Sequence, residues 1–298
     1  MLLLQQTISG LMLGGLYALI AVSFTLMVGV LNFLNFSIPG IFMLGGMMSW
    51  AFIKHAGFPW PAAVAVALVI CAAASLLVER ATYRFMRMRF GDVTEHAIPL
   101  VSSLGFLVLF QGIMQILWGA DLQYFPSPWR DPNLRFEGLV IGIPQMVSLA
   151  LSLLSVTALT LLLKRTQLGR AIRAIAESPD TASLLGVRVA RIVPAVFVIT
   201  GVMAGLAGVL FALNYLQVSP RIGDEIAAFG MAAMVIGGLG NVWGAIAGGL
   251  LLGLVEELTI QVFGAQYLKI IVWGFLFVLL VIRPQGLFGR AVTLKGKF

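Results

Sequence analysis

The chain has 298 residues, of which 60% are hydrophobic and only 10% charged, with a mean hydropathy of +1.02. A soluble domain carries about 25% charged residues, so a water-soluble globular protein is excluded and residues 1–298 read as one integral membrane domain. The net charge of +7 would suit nucleic acid in a soluble protein, but here the placement of charge matters more than its sum, and no nucleic-acid partner is expected.

The first residues, Met1-Leu2-Leu3-Leu4-Gln5-Gln6, lack the basic segment of a secretory signal, so no cleavage is expected there. Crossing a bilayer as a helix takes about 20 apolar residues. Apolar stretches run at 7–30, 36–53, 59–78, 98–118, 139–163, 193–213, 226–237, 243–262 and 268–282. The sequence therefore predicts an all-α polytopic protein of about 8–9 transmembrane helices. Between the first two stretches, Asn32, Asn35, Ser37 and Pro39 cluster. Polar groups and proline at membrane depth suit unwound backbone that lines a cavity; the alternative is a helix start capped by Ser37 with Pro39 in its first turn.

Cys71 is the one cysteine, so no intrachain disulfide is possible, and it reads as a small packing residue. In the fourth stretch Gln111 and Gln115 stand one turn apart on one helix face. They suit either a pore lining or hydrogen bonding between helices, and Ser102 and Ser103 begin the same helix. Loop 119–138 carries Trp118, Tyr124 and Trp129 for an interfacial belt, while Pro126, Pro128 and Pro132 forbid a regular helix there. Gly201, Gly205 and Gly208, and later Gly244, Gly248 and Gly249, form small-residue faces that let helices approach closely in lipid.

Stretch 226–237 is too short to span as a helix; with Gly237-Gly238-Leu239-Gly240-Asn241 behind it, it reads as a glycine-broken half-helix. Asp224 and Glu225 favour its positive end. Glu256 and Glu257 are ionisable groups in an apolar stretch, which suggests function; Lys269, close in sequence, offers a structural ion pair instead. His55 and His96 fall in separate loops on opposite sides, so no metal site is expected, and no catalytic constellation is visible.

Basic residues gather in three places: Arg80, Arg84, Arg87 and Arg89; then Lys164, Arg165, Arg170, Arg173, Arg188 and Arg191; then Arg283, Arg290, Lys295 and Lys297. By the positive-inside rule these segments are cytoplasmic. Lys54, Arg130, Arg135, Arg221 and Lys269 remain for the other side. Nine crossings from an outside N-terminus to a cytoplasmic C-terminus satisfy the pattern.

The longest cytoplasmic segment, 164–192, favours helix over 168–177 and turns at Ser178-Pro179-Asp180. A second short helix is expected there, capped by Ser178, with Pro179 in its first turn, Asp180 at its positive end, an apolar face of Leu184 and Leu185, and Gly186 as its stop. Such a knob suits docking to a partner; the alternative is a helix lying on the bilayer surface.

The run Gln167-Leu168-Gly169-Arg170-Ala171-Ile172-Arg173-Ala174-Ile175-Ala176-Glu177-Ser178-Pro179, continuing through Ala182-Ser183-Leu184-Leu185-Gly186-Val187, resembles the coupling loop of branched-chain amino acid ABC transporter permeases. Gly14-Gly15-Leu16-Tyr17-Ala18 is similar to that family's first membrane helix, and Glu79-Arg80 with Tyr83-Arg84 and Arg87 to its ER-xxYRPxR signature, with Phe85 in place of the proline. Gly237 to Asn241 and Arg283-Pro284-Gln285-Gly286-Leu287-Phe288-Gly289 match its glycine-rich turn and C-terminal signature. One departure stands out: Asn35-Phe36-Ser37-Ile38-Pro39-Gly40 has isoleucine where the family has histidine, so no role of that histidine carries over.

The resemblance implies a permease subunit of a bacterial ABC importer in the inner membrane, moving branched-chain or related small amino acids. Urea or another small amide is an alternative substrate, and a stand-alone secondary transporter an alternative machine. The implied partners are ATP-binding cassette subunits, a second permease subunit (a paralogue or a copy of this chain), a periplasmic solute-binding protein and the lipid bilayer. With no G-x-x-x-x-G-K-[ST] loop in the chain, ATP and Mg are expected on the ATPase partner and no cofactor on this chain. Read from the polar groups themselves, the candidate substrate path is Asn32, Asn35, Ser37, Pro39, Gln111, Gln115 and Glu256, and the resemblance adds only that Glu256 falls where the family also has glutamate. The implied ATPase-coupling residues are Glu177, Pro179, Ala182, Leu184, Leu185 and Gly186.

Overall fold

A computed structural model of the protein describes residues 2–85, 97–127, 129, 133–136 and 139–289. The expected basic residues Arg87, Arg89, Arg130, Arg290, Lys295 and Lys297, together with His96, Pro128 and Pro132, lie outside the described residues. In chain order the helices are α1 (Leu2–Leu31), α2 (Ser37–Lys54), α3 (Trp60–Val78), α4 (Ala97–Trp118), α5 (Ile143–Arg165), α6 (Gln167–Glu177), α7 (Pro179–Leu184), α8 (Val189–Tyr215), α9 (Ile222–Gly237), α10 (Val242–Val262) and α11 (Leu268–Ile282). A π-helical turn, Glu79–Arg84, extends α3, and a 3-10 turn, Ala265–Tyr267, precedes α11. Among the described residues, seven helices are long and apolar enough to cross a membrane: α1, α3 with its extension, α4, α5, α8, α10 and α11 with its preceding turn. The shorter α2 and α9 lie inside the bundle and complete the polytopic all-α architecture.

Loop 119–138 holds short strands rather than featureless coil. Strand β1 (Gln123–Tyr124) pairs antiparallel with β4 (Gln217–Val218), and β2 (Asn133–Phe136) with β3 (Leu139–Gly142). Stretch 139–163 is therefore not helical from its start. Its first four residues complete the hairpin and helix begins at Ile143, with Pro144 in the first turn, where its missing N–H costs nothing.

The core forms around α1 and α8, which are buried along most of their length, with α1 along α10 and α2 along α8. Close approach is a matter of small residues. A Cβ on Gly208 would run into the Phe42 carbonyl of α2, and one on Gly45 into the Gly205 carbonyl of α8. Lipid supplies no hydrophobic drive between helices, so dispersion over such tight contacts holds them. The glycines of 201–208 thus act as the packing face expected for them, with Gly201 and Gly205 against Ser75 and Cys71 of α3.

The packing sorts the charges by end. Phe33 stacks on Tyr83 with centroids 6.3 Å apart, Lys164 Nζ lies 5.1 Å from the Trp243 ring centroid, and Leu287 N donates to Ile236 O at 2.8 Å. These contacts gather the π-helical turn, 164–192, the glycine turn and Arg283 at one end, called here the basic end. At the opposite end Trp50 Nε1 donates to Tyr124 O at 3.0 Å, Trp60 packs on Trp129, and Lys269 pairs with Glu225.

Candidate functional site

Two helices begin inside the bundle. Helix α2 starts opposite the middle of its neighbours: Gly40 packs on Leu107 and Phe110, halfway along α4, and Cys71 Sγ of α3 donates to Ile41 O at 3.6 Å. Between α1 and α2 the chain turns back into the bundle. Asn32 makes the turn in the left-handed region at φ +59°, which asparagine tolerates, and its N–H closes α1 on Val28 O at 2.9 Å. Helix α9 begins beside the start of α2, so close that a Cβ on Gly223 would strike the Pro39 carbonyl. Its other end carries the glycine turn, where Gly238 and Gly240 take φ of +107° and +79° and Asn241 caps α10. The short helix expected at 226–237 is present, and its internal end is the N-terminal one.

Ser37 does not cap α2: the N-cap position is Phe36, without a side-chain cap bond, and Asn35 just before it holds the turn. Asn35 Oδ1 accepts from Ser37 N at 2.9 Å and from Ser37 Oγ at 2.7 Å, because Ser37 is already the first helical residue. Asn35 is 1% exposed and its Nδ2 has no partner among the described residues. Ser103 Oγ accepts from Phe36 N at 3.0 Å, and Ser102 Oγ is 2.9 Å from Thr82 Oγ1, so both serines tie neighbouring elements together. Ile38 is buried, so this position carries no titratable side chain.

Beside the paired starts runs a chain of polar side chains over three helices. Gln111 Nε2 of α4 donates to Asp224 Oδ1 of α9 at 2.7 Å, and Lys269 Nζ of α11 donates to Glu225 Oε1 at 3.0 Å. Gln111 lies seven residues, about 10 Å, from the Trp118 end of α4. All four side chains are solvent-accessible in the single chain. The flanks are apolar and equally open: Val101, Val108 and Ile116 on α4, Ile270 and Phe277 on α11. Gln115 stands one turn beyond Gln111, outside this set of bonds.

Glu256 sits elsewhere, in the wall between α1 and α10. Tyr17 Oη donates to its Oε2 at 2.6 Å, and both residues are buried. A cavity of about 220 Å³ adjoins it, lined also by Gln145, Asn214, Tyr215 and Glu257. Lys269 does not pair with either glutamate, since it reaches Glu225 on α9 instead. Of the residues expected to share a path, the structure brings Asn35, Ser37 and Pro39 together near Gln111 and leaves Glu256 apart. Sequence reasoning missed Tyr17 as the partner of Glu256, and Asp224 as that of Gln111. The signal for Tyr17 was a hydroxyl in an apolar run, which in a membrane needs an acceptor.

At the basic end, Thr166 caps α6 by accepting from Gly169 N at 3.0 Å, and Ser178 caps α7 by accepting from Thr181 N at 3.3 Å. Pro179 and Asp180 stand in the first turn of α7, after Glu177 closes α6. Gly186, at φ +85°, ends α7: its N–H reaches Ser183 O and the Val187 N–H reaches Ala182 O, both at 3.0 Å. Ala182, Ile172 and Ile175 face inward and anchor the pair. Leu184 and Leu185 point the other way, 87% and 78% exposed.

A family model described as the permease component of branched-chain amino acid transport systems matches residues 6–281. The chain is 32% identical to BraD of Pseudomonas aeruginosa and to LivH of Escherichia coli K12, covering 96% of this chain and of each relative. Both are high-affinity branched-chain amino acid transport system permease proteins. It is 28% identical to a probable branched-chain amino acid permease, LivH, of Methanocaldococcus jannaschii, over 92% of this chain and 89% of that one. No solved structure matches.

Proposed function

The chain belongs to the permease components of branched-chain amino acid transport systems, and we propose that it carries part of the path by which small amino acids with apolar side chains cross the inner membrane. One observation carries this reading: the N-terminal ends of α2 and α9 meet inside the bundle beside Gln111, Asp224, Glu225 and Lys269. Asp224, Glu225 and Lys269 lie toward the end opposite the basic one, and ionisable groups on membrane helices stand where water or protein rather than lipid faces them. The α4–α9–α11 face therefore turns toward a second permease subunit, with a wet path between the two. Helix starts carry positive ends that suit a carboxylate, and Asp224 and Glu225 suit an ammonium. A zwitterion meets both, and apolar α4 beside them receives an aliphatic side chain.

The basic end faces the cytoplasm in this reading, which puts the C-terminus there too. ATP-binding cassette subunits hold ATP and Mg and dock on α7 through Leu184 and Leu185, with Glu177, Pro179, Ala182 and Gly186 shaping the knob. A solute-binding protein delivers substrate at the opposite end. Uptake of labelled leucine by cells carrying the assembled transporter tests the path. Asp224→Asn and Gln111→Trp are each expected to lower uptake at least tenfold while the complex still assembles. Full uptake in both variants means the path lies elsewhere, and competition by urea in place of leucine would point to a small-amide carrier.

A further inference from the structure

At the basic end a cleft of about 690 Å³ opens between the π-helical turn and the start of α8. Arg84, Arg188 and Arg191 line it together with Glu79, Tyr83, Ser183 of α7 and the apolar side chains of Val189, Ala190 and Val193. No guanidinium of the three has a hydrogen bond or ion pair among the described residues. Glu79 is only 3% exposed, and among the described residues no group donates to its Oε2. Three like charges thus share one cavity with a single carboxylate, which leaves a surplus of positive charge and one buried acceptor without a donor. The ligand that completes such a cleft is an anion that also carries a hydroxyl. Guanidinium forks match phosphate geometry. Basic pockets between membrane helices at headgroup level take anionic lipid, and the cleft lies where the spanning helices α3 and α8 end.

We propose that this cleft binds the headgroup of an anionic phospholipid, with its phosphate on Arg84, Arg188 and Arg191 and a headgroup hydroxyl donating to Glu79. The apolar wall receives the first part of an acyl chain. Because Ser183 belongs to α7, a bound headgroup touches the exposed knob from behind and steadies it.

The test uses the purified full chain in detergent. It is titrated with phosphatidylglycerol, and in parallel with phosphatidylethanolamine, phosphatidylcholine and inorganic phosphate. Bound lipid is read by native mass spectrometry, and the thermal midpoint alongside it. Phosphatidylglycerol should be retained preferentially and should raise the midpoint. Arg188→Gln combined with Arg191→Gln should weaken it about twenty-five-fold, at roughly fivefold per arginine. Arg165→Gln combined with Arg170→Gln removes the same charge from the same end outside the cleft and should leave retention unchanged. If the first pair is unstable, Arg84→Gln alone should give about a fivefold loss. Equal losses in the cleft and control pairs would overturn the proposal, as would phosphatidylethanolamine or phosphatidylcholine binding as tightly as phosphatidylglycerol. Inorganic phosphate giving the same stabilisation would make this a free-anion site. Cleft variants that retain phosphatidylglycerol as the wild type does, yet fail to co-purify an ATPase subunit when the whole transporter is isolated, would make it a protein-docking surface. Either result defeats the lipid assignment.

Discussion

Glu256 is a carboxylate in an apolar helix, and what makes it tolerable is the Tyr17 hydroxyl 2.6 Å from its Oε2. A buried acceptor that loses its donor bears the full desolvation cost, about 1–3 kcal/mol and more when the group is charged. Tyr17→Phe should therefore lower stability by at least that amount, read as a drop in the thermal midpoint of the purified protein. Glu256→Gln keeps an acceptor for Tyr17 and removes the charge, so it should cost less. A Tyr17→Phe protein that melts with the wild type would show that the bond holds nothing. Asn35 makes the opposite point. Its Oδ1 accepts from both Ser37 N and Ser37 Oγ, while its Nδ2 is buried without a partner among the described residues.

Among the elements, α7 has the least internal reason to look as it does. Six residues are too few for a stable isolated helix, yet this one is capped at both ends and anchored by Ala182. That bracing presents Leu184 and Leu185 to the outside, where water gives them no stabilisation. An interface anchor is worth roughly 1–4 kcal/mol. Leu185→Asp should thus abolish co-purification of the ATPase subunit and ATP-driven uptake together, with normal insertion of the permease. Gly186→Pro should do the same, since it removes the N–H bonded to Ser183 O and the positive φ that stops the helix. Wild-type co-purification with wild-type uptake in both variants would leave the surface-lying helix as the better reading.

For the whole molecule, the charge distribution and the packing agree on two ends. Cys71 is fully buried, so it gives a silent background for labelling with membrane-impermeant thiol reagents. Ser183→Cys at the basic end should be protected in intact cells and label after the inner membrane is opened. Ser127→Cys at the other end should label in intact cells. The reverse pattern would invert the topology and remove the basis for docking an ATPase on α7. Nothing in the fold alone sets this orientation, since a helix bundle packs equally well either way up; the charges choose it during insertion.

The sequence by itself determined the membrane class, the cap at Ser178, the stop at Gly186 and the clustering of basic residues. Each of these is a local property: twenty apolar residues, a short polar side chain before a helix, a glycine that alone takes positive φ cheaply. It also carried the family resemblance, because that rests on the order of short motifs along the chain. Only the tertiary structure decided that α2 and α9 start inside the bundle and meet, that Gln111 answers Asp224, that Lys269 answers Glu225 rather than Glu256, and that Tyr17 answers Glu256. Those pairs are separated by 113, 44 and 239 residues. Which distant polar group satisfies which is set by how glycine faces let the helices close on one another, and no local pattern records that.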